Sequence, residues 1–135
     1  MTTLVAIIKE PKSSYSVVFE NDGNVAYAYL RDGQTIISDV WLYNSGVTPD
    51  QPEWSDRSRM PFTNPKGFTV DETAPHVLSA SDVAVTWNWK GSTLSYADVL
   101  LSGEVYGRLA PGAKPGWARL ASREGPVARP LNRPT

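Results

Sequence analysis

Apolar and polar residues alternate with a period of two along much of the chain, and the alternation breaks repeatedly at Asp-Gly, Gly-Ser and Ser-Gly pairs. A period of two places successive side chains on opposite faces of an extended backbone, so the repeating unit is a strand with one buried face. LVAII at 4–8 reads as a first strand. SYSVVFE at 14–20 and NVAYAYLR at 24–31 flank Asn21-Asp22-Gly23, whose Asp-Gly pair tolerates the positive φ of tight hairpin turns. Asp32-Gly33 then leads into TIISDVWLY at 35–43, which predicts a meander of three further strands. DVAVTWNWK, TLSYADVLL and EVYGRL, separated by Gly91-Ser92 and Ser102-Gly103, predict a second meander. The fold class this implies is mainly β: two antiparallel meanders packed as a β-sandwich or a partly open barrel.

The stretch 82–90 sets two tryptophans two positions apart. Val83, Val85, Trp87 and Trp89 share one face, opposite Asp82, Ala84, Thr86, Asn88 and Lys90, so the tryptophans are expected to point into the core. Trp89, next to the Lys90-Gly91 turn, is the one placed to lie on the rim.

Between the meanders, residues 44–81 lose the alternation and carry five prolines, four of them from Pro49 to Pro65. Proline removes backbone donors and fixes φ, so this connection is expected to run as a long surface loop, with a short strand at GFTV, 67–70. Long loops on rigid β scaffolds are where binding residues concentrate. Trp54, Asp56, Arg57, Arg59 and Phe62 combine aromatic and arginine groups typical of interface anchors, and they are the candidate protein-binding residues. The alternative is that the apolar members pin the loop over the core as a lid.

Past residue 110, Pro115 precedes Trp117, Leu120 and Ala121 at helical spacing, and Gly125-Pro126 follows as a stop, which predicts a short helix at 116–124. The expected organisation is one β domain over 1–125 and a basic, proline-containing tail over 126–135. Residues 108–135 hold six basic groups against Glu124, a net of +5, and the remainder carries −6. Those basic residues are spread among prolines, so they are read as a solvated segment lying against an acidic body, with no nucleic acid expected as partner.

Composition narrows the chemistry. At 41% hydrophobic and 20% charged, with five Trp, six Tyr and three Phe, 135 residues suffice for one folded core. The chain has no cysteine, so it has no disulfides or thiolate sites, and a cytoplasmic setting is expected. The run at 4–8 is too short for a membrane span and lacks the basic start of a leader. The single histidine, His76, could join Asp71 and Glu72 at a metal, but adjacent carboxylates on extended chain point apart and no second histidine is present. There is no G-x-S-x-G elbow, no phosphate-binding glycine loop and no dinucleotide fingerprint. No metal, cofactor or catalytic residue is therefore expected. What remains is a non-enzymatic protein-binding module, of the kind a small bacterial adaptor or a toxin-neutralising immunity protein would be. The alternatives are a carbohydrate-binding β-sandwich using Trp54, Trp89 or Trp117, and a structural or assembly subunit of a larger particle.

Overall fold

The structure is a computed structural model and describes residues 3–70 and 72–131. Its regular structure is almost entirely β. One sheet has four strands in the order β1 (Leu4–Lys9), β2 (Tyr15–Asn21), β3 (Val25–Asp32) and β4 (Thr35–Asn44), all antiparallel. A second has five, in the order β5 (Val83–Lys90), β6 (Thr93–Leu101), β7 (Glu104–Leu109), β8 (Trp117–Ala118) and β9 (Arg129–Pro130), with β8 and β9 parallel. No ladder among the described residues closes the sheets into a barrel. No helix of the described residues is long and apolar enough to cross a membrane.

The alternation places the core. Val17, Phe19, Ala28, Leu30 and Val40 from the first sheet are fully buried, as are Ala97, Val99, Leu101 and Leu109 from the second, and they form one cluster. Small residues let the layers close. A Cβ at Gly107 would collide with Leu42, and one at Gly116 would collide with the Arg108 carbonyl oxygen, so glycine is required for the close approach of these segments.

The hairpin strands fall where the alternation puts them, but the C-terminal helix does not form. Trp117–Ala118 is a strand instead, and the chain around it is held at every step by backbone partners in other segments. Arg119 N–H donates to the Tyr106 carbonyl at 2.9 Å, and Val70 N–H donates to the Leu120 carbonyl at 2.8 Å. Ser122 N–H donates to the Phe68 carbonyl at 2.9 Å. A helix over 116–124 would withdraw all of these groups and leave the edge of β7 unpaired, so tertiary pairing overrides the local helical spacing. GFTV contributes only a single antiparallel bridge, Thr69 to Ala121. The segment from residue 126 to Leu131 is part of the body: Val127 and Ala128 are buried and Arg129–Pro130 pairs with β8. Asn132 to Thr135 lie outside the described residues.

β5 follows the predicted parity in graded form. Val83 is buried, Val85 and Trp87 are half-buried against the core, and Trp89 is 40% exposed. β5 is an edge strand, and a bulge between Asn88 and Trp89 shifts its register at the far end. Trp89 consequently leaves the core line and meets Tyr15 with ring centroids 6.0 Å apart and planes tilted by 58°.

Asn44 fastens the proline-rich connection to the end of β4. Asn44 Oδ1 accepts from Trp41 Nε1 at 2.8 Å and from Asn64 N–H at 3.0 Å. Its Nδ2 donates to the Asn64 carbonyl at 2.8 Å and to Thr48 Oγ1 at 3.1 Å. Both acceptor positions and both donors of the amide are thus used. Beneath this clamp Trp41 is 1% exposed, and Thr63, Asn64 and Pro65 are buried. Asn44→Ala is expected to lower stability by about 2 to 4 kcal/mol, because it strands buried donors and an acceptor. Thr86→Ala, on the exposed face of β5, should change stability by less than about 0.5 kcal/mol. Urea melts of the two variants check the contrast.

Candidate functional site

The five candidate residues do not form one patch. Trp54 is half-buried and meets Phe68 edge to face, with centroids 5.0 Å apart and planes at 89°. Arg123 covers Phe68 at 4.5 Å from the ring centroid. Trp54 Nε1 is buried with no hydrogen-bond partner among the described residues. This is the environment of a loop anchor, the lid role set out above as the alternative.

Asp56, Arg57 and Arg59 occupy an exposed single-turn 3-10 helix, Arg57–Arg59. Asp56 caps it, accepting from Ser58 N–H at 3.1 Å and from Ser58 Oγ at 2.6 Å. The Ser58 hydroxyl bond, with the backbone bond second, holds the Asp56 carboxyl below the usual range. Arg59 reaches Glu53 at 3.2 Å and Asp56 at 3.7 Å, and Glu53 also accepts from Thr63 Oγ1 at 2.5 Å. Exposed pairs of this kind add little stability, but together they fix the shape of the loop tip. Arg57 has no ion-pair partner among the described residues.

Phe62 belongs to a different assembly, together with residues that the sequence reading did not single out. Tyr27 Oη donates to the Phe62 carbonyl at 2.7 Å, which lays the loop across β3. Tyr27 and Tyr29 stack with centroids 6.0 Å apart and planes 14° apart. Together with Asp39, Met60, Phe62 and Val127 they line an open cavity of about 240 Å³. Met60, directly after the 3-10 turn, is 61% exposed at its mouth.

Strand register explains the grouping. Ile7, Val18, Tyr29 and Asp39 lie side by side across β1 to β4, and Val5, Glu20, Tyr27 and Trp41 form the neighbouring row. Both rows are on the outward face of the first sheet. The loop covers the Trp41 and Tyr27 end and leaves Val5 and Ile7 exposed at the other. The cavity opens where the cover stops. One signal for it was present in AYAY at 26–29: Ala26 and Ala28 are small enough for the tightly packed core face, and the two tyrosines then need cover on the other.

Glu20 and Asp39 lie on this face beside the tyrosines, with Lys9 and Arg31 in the next row. Burial pushes the Tyr29 phenol up to about 12, with Glu20, Asp39 and Asp22 adding to the rise in that order. Tyr27 is raised further, chiefly by burial. Burial also raises the Asp39 carboxyl above the usual range, opposed by the charge of Lys114. Asp39 has no ion pair or side-chain hydrogen bond among the described residues. Of the groups considered for a metal, Glu72 pairs with Arg119 at 3.0 Å and the His76 carbonyl accepts from Ser102 Oγ. Asp71 lies outside the described residues.

Because burial disfavours ionised Asp39, the native state holds this proton more tightly than the unfolded chain does. The resulting penalty is absent below the ordinary aspartate value and develops as pH rises through the native one. Asp39→Asn is therefore expected to melt at a higher temperature than the parent at about pH 7, with the difference closing toward about pH 3. A lower midpoint for the variant at neutral pH would show that the carboxylate is held by favourable partners.

Compared with known proteins, the chain matches no family model, no curated protein and no solved structure.

Proposed function

We propose that the chain is a non-enzymatic protein-binding module: a two-sheet β-sandwich whose proline-rich loop and outer sheet face meet the partner. The observation that carries this reading is the braced loop tip beside an uncovered cavity. Met60 stands 61% exposed at the mouth, on a turn fixed by Asp56, Glu53 and Arg59, while Trp54 and Asn64 tie the same loop to the body. A loop already held in place loses little conformational freedom on binding, so its exposed apolar and arginine side chains are available for affinity. Tyrosine, methionine, phenylalanine and arginine are the groups enriched at interface centres, and Tyr29, Met60, Phe62 and Arg57 supply them here. Trp54 acts as the anchor of this surface, and Arg57, Arg59, Met60 and Phe62 as its face. An adaptor or a toxin-neutralising immunity protein in the cytoplasm is the kind of role such a module fills. A carbohydrate platform is less well supported: Trp54 is packed on Phe68, Trp117 lies under Arg129 at 4.2 Å, and Trp89 is tilted against Tyr15.

Site-specific photo-crosslinking in the cells that make the protein tests the reading. A benzophenone amino acid at position 60 is expected to give one discrete adduct, and the same group at exposed position 12 none. No adduct at 60, or the same adduct from both positions, would overturn it. In parallel, Met60→Ala should leave stability within about 0.5 kcal/mol of the parent, whereas Trp54→Ala should lower it by about 2 kcal/mol through lost burial.

A further inference from the structure

Four of the chain's arginines lie over aromatic rings. Arg108 lies over the Tyr96 ring at 4.0 Å, and Arg119 over Tyr106 at 4.9 Å. Arg123 and Arg129 cover Phe68 and Trp117. The Arg108 site is the most complete. Its Nε donates to Asp98 Oδ1 at 2.7 Å and its Nη2 to Asp98 Oδ2 at 3.1 Å while the guanidinium plane rests on Tyr96. A tyrosine face beside a carboxylate on a sheet surface is thus a receptor for arginine in this fold, combining a charge-assisted fork with ring stacking.

The outer face of the first sheet also presents a tyrosine and an aspartate, as direct cross-strand partners rather than two residues apart on one strand. Tyr29 and Asp39 are cross-strand partners on β3 and β4, and both line the cavity under Met60 and Phe62. The arginine nearest along the strand, Arg31, donates through Nε to Ser16 Oγ at 3.2 Å. Lys114 is the positive charge that acts on Asp39, but no ion pair joins them among the described residues. Glu20 and Asp22 add negative charge at the Tyr29 side, and the apolar walls suit the methylene stem of a long cationic side chain.

We propose that this cavity takes an arginine side chain of the protein partner, its guanidinium stacked on Tyr29 and forked onto Asp39, with the stem against Met60 and Phe62. The proposal rests on the protein-binding reading above and names the chemistry of the residue the partner presents. Arginine is favoured over lysine because only a planar fork can use the ring face and both carboxylate oxygens at once.

The test is an NMR titration of the full chain with N-acetyl-arginine amide and with its uncharged citrulline counterpart. Saturable shifts are expected at the Tyr29 ring, the Met60 methyl and the Phe62 ring with the arginine compound. Binding of the citrulline compound, and of the arginine compound to Asp39→Asn, should be weaker by at least about tenfold. Equal responses to both compounds, or an unchanged response in Asp39→Asn, would overturn the proposal. Crosslinking from position 60 separates this failure from that of the wider reading. An adduct formed by the parent and lost in Asp39→Asn supports the arginine site. An adduct that persists unchanged in Asp39→Asn rejects the site and leaves the binding module standing, whereas no adduct from the parent rejects the module itself.

Discussion

The free edge of β4 is the constraint on which the rest of the structure depends. β4 ends the first sheet, and an edge strand leaves a row of backbone donors and acceptors that must find partners when they are buried. Here the C-terminal segment supplies them. Gly112 N–H donates to the Ile37 carbonyl at 2.9 Å, Gly116 N–H to the Asp39 carbonyl at 2.7 Å, and Trp41 N–H to the Val127 carbonyl at 2.9 Å. One stretch of chain therefore closes the edge of the first sheet while its own strands, β8 and β9, extend the second. The sheets are joined through the main chain as well as through side chains in the core. Gly116 is at the centre of the joint: it donates to β4, accepts from Arg129 N–H at 3.0 Å, and sits against the Arg108 carbonyl where no side chain fits.

The same joint shapes the cavity. Holding Val127 against Trp41 brings Pro126 and Val127 to the outer face of β4, where they become one wall; the loop at Met60 to Phe62 becomes the other. The floor is Tyr29 and Asp39, two neighbours in the sheet. The loop can reach only so far, because Asn44 fixes Asn64 close to the end of β4 and Tyr27 fixes Phe62 one row further in. At the far side of the sheet Ile7 and Val5 remain uncovered on β1. A partial cover of this kind leaves a step on an otherwise flat sheet face, and steps are where a partner's side chain can be enclosed on several sides.

The strands and hairpins were legible in the sequence because their signals are local. Alternation and Asp-Gly turns locate β2, β3 and β4 to within a residue or two, and Gly91-Ser92 and Ser102-Gly103 do the same for β6 and β7. The segment after residue 110 was not, because its conformation is dictated by partners more than 70 residues away, as in the bond from Gly116 to Asp39. Trp117, Leu120 and Ala121 have helical spacing, and that preference is too weak to outweigh a row of buried backbone hydrogen bonds. The candidate site was legible in part. Phe62 stands out as an apolar residue of the loop, but the residues that give it a cavity, Met60, Tyr29 and Asp39, do not, and the last two lie on strands whose outward face carries no sign of what covers it. Trp54 illustrates the reverse: a loop tryptophan suggests an interface, and only its contact with Phe68 reveals an anchor.

Charge is distributed by the same logic. Along the chain, acidic residues dominate before residue 108 and basic ones after it. In the fold the two populations meet: Arg108 pairs with Asp98, and Arg119 reaches Glu72 and Glu104. Arg129 Nη2 donates to the Pro115 carbonyl at 2.6 Å and covers Trp117. Two arginines of the basic segment are thus paired with carboxylates of the body, and Arg129 is held by a carbonyl and a ring face. The acidic side is not consumed evenly, since Asp39 and Glu20, on the outer face of the first sheet, have no cationic partner within ion-pair reach among the described residues. The outward face of the first sheet therefore carries both signs without ion pairs among the described residues, Glu20 and Asp39 beside the tyrosines and Lys9 and Arg31 in the next row. Tyr29 and Asp39, side by side in the sheet, bring an aromatic ring and a carboxylate together at the cavity floor.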